Sequence, residues 1–211
     1  MHRRWLFVVL VFLPPLLLGQ EAVVPLPKPQ TEGGKPLMTV LRERKSTREF
    51  SPDTLPHRIL SNLLWAAFGV NRAGEMKRTA PSARNWQEID IYLATSRGLY
   101  LFNARDHSLM KISEKDMRAA TGAQPYVGTA PLNLVYVADL AKLKGASDAD
   151  KNFYPAIDAG FIAENVYLYC ASEGLGVVVR GMVDREKLAG EMHLRPDQRI
   201  IVSQTVGFPK K

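Results

Sequence analysis

Arg44, Lys45 and Arg48 surround the hydroxyl of Ser46 within the five positions Arg44-Lys45-Ser46-Thr47-Arg48. Planar guanidinium forks, an ammonium and a hydroxyl converging on one spot suit a phosphate monoester, which accepts several charge-assisted hydrogen bonds at once. A solvated basic turn has the same residues, so the stretch needs company before it means binding. Pro81-Ser82-Ala83-Arg84-Asn85 is a second candidate, tight-turn material offering side-chain oxygens and free backbone N–H groups. Residues that would do the chemistry themselves are not recognisable. His2, His57, His107 and His193 are dispersed, without metal-ligand spacing. No Gly-x-Ser-x-Gly elbow is present, and spacing locates no pair of catalytic carboxylates. Phosphate-friendly and amide-rich spots without an evident acid, base or nucleophile suit a protein that binds a cofactor and leaves the chemistry to it.

The elements that must position these spots read as a mixed set. Leu37 to Arg44 is a short helix delivering the basic cluster, with Phe50 as an apolar anchor and Ser51-Pro52 as a stop. Asp53-Thr54 is placed to cap a helix starting near Pro56, on which Ile59, Leu60, Leu63, Leu64, Ala67 and Phe68 share one face. Residues 71–84 read as a loop. Ile89 to Leu93 and Gly98 to Phe102 read as strands, the second turning back into Leu109 to Ile112 as a hairpin. A short helix is expected from Ser113 or Glu114 through Ala120, a strand at Leu132 to Val137 and a polar loop from Lys144 to Lys151. Ala156 to Ser172 is a helix apolar nearly all round, which belongs in a core or a subunit interface. Gly174 is its left-handed cap. Gly174-x-Gly176 therefore follows a helix and precedes a strand, the reverse of a dinucleotide fingerprint. Val177 to Val179 leads to Arg180-Gly181, Asp184 caps a helix through Met192, and Ile200 to Val206 is the last strand. Hairpins, helices and separate strands without βαβ alternation predict an α+β fold.

Composition narrows the classes. A chain of 211 residues, 46% hydrophobic, supports one ordinary domain with its own core. The formal charge of +7 is spread among acids after Glu21, with no Lys/Arg block, so nucleic acid is not the expected partner. Tyr92, Tyr100 and Phe102 fit sheet packing better than a stacking platform for single strands. The lone Cys170 sits in an apolar helical pattern, cannot form an internal disulfide and reads as core. His2-Arg3-Arg4 followed by the apolar run Trp5 to Leu18, broken at Pro14-Pro15, reads as a signal peptide over 1–22. Removal before Gln20 takes away Arg3 and Arg4 and lowers the charge from +7 to +5. An uncleaved anchor is the alternative, and Arg3-Arg4 also admits a twin-arginine route. The expected location is periplasmic or secreted, with no stable membrane insertion after cleavage. Residues 23–36, rich in Pro, Gly, Lys and Gln, read as an extended linker or arm.

Taken together, Arg44-Lys45-Ser46-Thr47-Arg48, Pro81-Ser82-Ala83-Arg84-Asn85, Asp158-Ala159-Gly160 to Asn165, Gly174-Leu175-Gly176 to Arg180-Gly181, and Gly207-Phe208-Pro209-Lys210-Lys211 resemble, in order and spacing, the motifs of the FMN-dependent nitroreductase family. Leu64-Trp65-Ala66-Ala67 and Lys77 to Ser82 look most like its azoline-dehydrogenase-like branch. The resemblance spans about Leu37 to Lys211 and makes 37–211 one nitroreductase-like FMN-binding domain. It implies an α+β homodimer, a mostly antiparallel central sheet flanked by helices, and FMN at the dimer interface. By motif, Arg44, Lys45 and Ser46 hold the phosphate and ribityl chain, and Arg48 sits near the pyrimidine edge, where a cation stabilises reduced flavin. Pro81, Ser82, Ala83 and Asn85 approach the same flavin from the partner chain. Val179 leads to Arg180 and Gly181, whose backbone N–H groups face the N5/O4 edge, and Lys210 and Lys211 add to the phosphate site. Ala83 stands where the family often has serine, which removes one hydroxyl. The implied activity is a ping-pong oxidoreductase acting between a small-molecule electron donor and an acceptor such as a nitroaromatic or quinone. In the azoline-like branch an organic substrate is oxidised instead. An exported enzyme has no NAD(P)H pool to draw on. The alternatives are a flavin-binding protein without turnover, or a basic exported binding domain.

Overall fold

The computed structural model describes residues 23–210. The expected signal peptide and Lys211 lie outside the described residues. The elements in order are β1 (Val23–Pro25), α1 (Leu37–Glu43), α2 (His57–Phe68), β2 (Val70–Arg72), β3 (Lys77–Arg78), β4 (Ile89–Thr95), β5 (Gly98–Asn103), β6 (Ser108–Ser113), β7 (Leu132–Asp139), α3 (Asp148–Glu173), β8 (Gly176–Arg180), α4 (Arg185–Glu191) and β9 (Gln198–Gly207).

Seven strands form one sheet in the order β1-β6-β5-β4-β7-β9-β8, every neighbouring pair antiparallel. Strand alternation splits the core in two. Ile89, Ile91 and Leu93 of β4 join Leu134 and Tyr136 of β7 on the face covered by α2 and α3, together with Leu63, Leu64, Ile162 and Val166. Tyr92 and Ala94 join Val135 and Val137 on the other face, covered by Leu188 and Met192 at α4. Buried along its whole length, β7 is the central strand. The aromatics obey the same alternation: Tyr92 and Phe102 are buried on opposite faces, and Tyr100 lies under the Lys111 ammonium. Cys170 is core, its thiol pushed up by burial.

The elongated helix α3 positions the site. It begins eight residues before the expected Ala156, because Pro155 lies inside it. Proline normally marks a boundary: it has no N–H for the carbonyl four residues back. That carbonyl, on Lys151, accepts from the Arg199 guanidinium instead. A capping box starts the helix: Asp150 N–H donates to Ser147 Oγ at 3.1 Å, and Ser147 N–H to Asp150 Oδ2 at 3.1 Å. Gly174, at φ 71°, ends it as expected.

Other expectations are corrected locally. Pro56, not Asp53 or Thr54, precedes α2, and no side chain caps it. Asp53 instead receives the Ser51 hydroxyl. The stretch 113–120 forms only a 3₁₀ turn at Arg118–Thr121, because Asp116 is committed to the Arg118 guanidinium and Glu114 to Lys111. Residues 71–84 contain the small β2–β3 hairpin. The N-terminal arm is fastened down: β1 pairs with β6, Ser61 Oγ donates to Pro27 O at 2.5 Å, Gln30 N–H to Asn62 Oδ1 at 2.8 Å, and Lys35 N–H to Ser172 Oγ at 3.0 Å. Ser147→Ala removes the cap of α3 and is expected to lower unfolding free energy by about 1 kcal/mol, read as a lower urea midpoint at unchanged slope.

Candidate functional site

The site is built on the outer edge of β8, the last strand of the sheet. A terminal strand carries N–H and C=O groups with no neighbouring strand. Here the chain leaving α1 lies along that edge. Thr47 N–H donates to Val177 O at 2.8 Å, Ser51 N–H to Phe208 O at 2.9 Å, and Lys210 N–H to Glu49 O at 3.1 Å. Phe50 and Pro209 form a bridge between the two segments. This binds the basic stretch to the end of β9 and brings Lys210 beside it, although the two are far apart in sequence.

A cavity of about 860 Å³ opens between this stretch and the C-terminal part of α3, lined among others by Lys45, Ser46, Arg48, Tyr167, Leu175 and Lys210. Its volume is of the size that houses cofactors, roughly 300–1,000 Å³. Four cations line it, Lys35, Lys45, Arg48 and Lys210, against two carboxylates, Glu43 and Glu49. One of the two is already answered: Lys35 Nζ donates to Glu43 at 2.8 Å and holds its carboxyl below the usual range. The lining therefore favours an anion.

Tyr167, which sequence reasoning missed, ties this wall together. Its hydroxyl accepts the Val179 N–H at 2.9 Å and shares a hydrogen bond with Ser46 Oγ at 3.0 Å, while the Arg44 guanidinium lies over its ring at 5.3 Å from the centroid. A tyrosine on an apolar helix looks like core; only its position one turn before Cys170 on α3, facing β8, reveals the role. Val177 turns its C=O outward and Val179 its N–H. By strand alternation the next outward N–H is that of Gly181, and Arg180's lies on the β9 side.

The Arg180 side chain is 4% exposed and faces the sheet interior. Nη1 donates to Thr121 O at 2.7 Å, Nε to Thr205 Oγ1 at 3.1 Å and Nη2 to Asn133 Oδ1 at 3.1 Å. Burial among these neutral acceptors pushes the guanidinium down to about 10. A Cβ on Gly122 would collide with that guanidinium, so glycine is required there.

Of the expected site residues, Lys45, Ser46, Arg48 and Lys210 meet at the cavity, and Arg44 joins through Tyr167. Pro81, Ser82, Ala83, Asn85, Val179, Arg180 and Gly181 do not line it within one chain. The 81–87 loop is held elsewhere, on α3 and the start of β4. Ala83 N–H donates to Asp158 Oδ2 at 3.0 Å, Ser82 Oγ to Glu88 Oε2 at 3.2 Å, and Gln87 N–H to Ser82 Oγ at 2.8 Å. Among the described residues no cluster of His, Cys, Asp and Glu could hold a metal ion. No helix of the described residues is long and apolar enough to cross a membrane.

The sequence profile of the nitroreductase family matches residues 41–208. The chain belongs to the nitroreductase family. A protein of Methanocaldococcus jannaschii named among the nitroreductases is 31% identical over 156 residues, 69% of this chain and 78% of that protein. The crystal structure of a protein from Ralstonia eutropha JMP134, also named among the nitroreductases, is 45% identical, covers 96% of this chain and 97% of its own, and superposes with a TM-score of 0.87. The NADPH:FMN oxidoreductase of Vibrio harveyi, solved with NAD+, shares the fold at 18% identity and a TM-score of 0.62, over 83% of this chain and 69% of that one. Membership makes this nitroreductase an oxidoreductase of the flavin-dependent class, and the observed sheet and its flanking helices are the fold expected for it. Tyr167→Phe leaves the Val179 N–H without its acceptor and is expected to cost about 1–2 kcal/mol of unfolding free energy, with far-UV circular dichroism unchanged.

Proposed function

We propose that this nitroreductase is an FMN-dependent oxidoreductase, working as a homodimer between a small organic electron donor and a small organic acceptor. The observation that carries this reading is the convergence of Lys45, Ser46, Arg48 and Lys210 on one cavity beside the open edge of β8. The donor set fits the group. A phosphate monoester calls for cations and a hydroxyl at one end, and the strand edge offers backbone N–H groups at the other. Bound FMN would supply hydride acceptance and donation. Arg44, Lys45, Ser46 and Lys210 would hold its phosphate and ribityl chain, with Lys211 completing the group. Arg48 would place positive charge beside the pyrimidine edge, where it favours the reduced, anionic form. Gly181 would offer an outward N–H to the reacting edge. No side chain on the cavity wall is required as acid, base or nucleophile.

Dimerisation is supported by what a single chain leaves bare. Leu37, Met38 and Leu41 of α1 and Phe153 and Phe161 of α3 are exposed, Met38 by 75% and Phe153 by 59%. Large apolar side chains gathered on two helices mark an interface. The 81–85 loop, remote from its own cavity, is then free to reach the partner's. Export of the chain, proposed from residues 2–18, makes a donor other than NAD(P)H the physiological one. Steady-state turnover with NADH or NADPH at low micromolar KM would count against that last point.

The purified chain is expected to show the two-banded visible absorbance of an oxidised flavin and to release FMN on heating; a colourless protein that takes up no added FMN would overturn the reading. Replacing Arg44 and Ser46 together by Ala removes a charged and a hydroxyl contact, about 3 kcal/mol or on the order of 100-fold in flavin affinity. That loss is expected with the fold intact, measured by flavin retention on gel filtration.

A further inference from the structure

Glu88 and Asp158, seventy positions apart in sequence, meet in the interior between the start of β4 and the middle of α3. Glu88 is fully buried and Asp158 is 2% exposed. No cation answers them among the described residues. Arg84 turns its guanidinium over the Trp86 ring at 5.3 Å, Arg78 Nε donates to Gln87 Oε1 at 2.7 Å, and Asp139, on the neighbouring strand, is taken by Arg195 at 2.9 Å. Two carboxylates cannot share a dry site without a counter-charge. A proton resolves this. Glu88 Oε1 is a buried oxygen with no partner among the described residues, and a proton held on Glu88 beside the Asp158 carboxyl would give it one. Each carboxyl then has an oxygen left for the loop: Oε2 of Glu88 accepts from Ser82 Oγ, and Oδ2 of Asp158 from Ala83 N–H.

The loop so held is one that would not keep its shape unaided. Arg84, Asn85 and Gln87 have φ of 48°, 56° and 50°, left-handed conformations that residues with a side chain adopt at a cost. Trp86 stands between them, edge-on to Tyr154 at 5.7 Å.

We propose that Glu88 and Asp158 are positioning residues that share a single proton, and that this proton latches the 81–87 loop in its working shape. The loop's service to a partner's cofactor rests on the function proposed above; the latch itself does not. Burial first, then the neighbouring Asp158 carboxyl, pushes Glu88 up to about 7. The sign follows. Below that pH the folded pair holds its proton, and the latch is closed. As pH rises through it Glu88 ionises against the neighbouring carboxyl, and the loop is released. Relative to the unfolded chain, in which Glu88 titrates at its ordinary value, the folded state therefore loses stability as pH rises between the two values.

Trp86 provides the readout. The full-length protein, stripped of any flavin, is titrated from pH about 5 to about 9 while tryptophan emission is followed in wild type, Trp86→Phe, Glu88→Gln and Asp158→Asn. In Glu88→Gln the amide donates permanently to Asp158 and still accepts from Ser82, so the latch stays closed without a titrating proton; Asp158→Asn does the same from the other side. Wild type is expected to show a reversible emission change near neutral pH, absent in Trp86→Phe and lost in whichever amide variant retains the far-UV spectrum of the fold. A flat wild-type profile, or a transition that persists in a folded amide variant, would overturn the proposal. Flavin retention over the same range separates the two readings: retention that falls as the latch opens supports both. A Trp86 transition with pH-independent flavin retention upholds the latch and overturns the loop's placement at the cofactor.

Discussion

The open edge of β8 is the constraint on which the site depends. A sheet of seven antiparallel strands must end somewhere, and its last strand exposes hydrogen-bonding groups that burial would leave unmet. Two different devices meet them. Thr47 supplies a backbone N–H to Val177, and Tyr167 supplies a side-chain oxygen to Val179. Neither continues the sheet as a true strand, so the chain carrying Arg44 to Arg48 stays irregular and turns its basic side chains toward the cavity beside it. The bridge between Phe50 and Pro209 then fixes the far end and draws Lys210 in. The cationic wall follows from how the sheet is finished.

The charges divide into two kinds with opposite energetics. Those lining the cavity keep their water, so gathering them costs little, and their mutual repulsion is of the kind an anion would relieve. Arg180 and the Glu88–Asp158 pair are removed from water, and their arrangement must compensate for it. Arg180 is met by a hydroxyl, an amide oxygen and a backbone carbonyl drawn from β9, β7 and the 118–122 segment. It thus joins three parts of the chain at the point where β8 ends and Gly181 begins. The acid pair joins α3 to the loop that precedes β4. In both places a costly buried group stands where a turn of backbone needs a defined shape.

Legibility in the sequence followed from how local each cause is. The basic stretch, the alternating strands β4 to β7 and the glycine end of α3 were readable because neighbours in sequence determine them. The start of α3 was not: Pro155 carries the mark of a boundary, and the donor that excuses it, Arg199, arrives from β9. The helix expected at 113–120 failed for a local reason instead: Asp116 and Glu114 found cations close by, and only Arg118–Thr121 turns, although Met117 still reaches the core. Tyr167 and the Glu88–Asp158 pair were invisible because their partners come from distant positions. Spacing rules for paired carboxylates look along one helix or strand, and this pair is made across two elements. Family motifs supplied the link between Lys210 and Arg44 that no local rule contains.

Long-range contact also explains why the arm at 23–36 is not a free linker despite its composition. Beyond β1, proline and glycine disfavour regular structure, yet three polar groups of the arm find anchors on the body: Ser61 for the Pro27 carbonyl, Asn62 for Gln30, Ser172 for Lys35. His107 completes the first anchor. With the Ser61 proton given to Pro27, the His107 Nε2 at 2.7 Å from Ser61 Oγ must be the protonated ring nitrogen. Burial holds that ring below its ordinary value, hence neutral, and a neutral ring with its proton on Nε2 is what the Ser61 oxygen requires. The arm, the hairpin turn at His107 and α2 are thereby one hydrogen-bonded unit. Lys35 leaves it at the mouth of the cavity, where it neutralises Glu43 and leaves Lys45, Arg48 and Lys210 facing Glu49 alone.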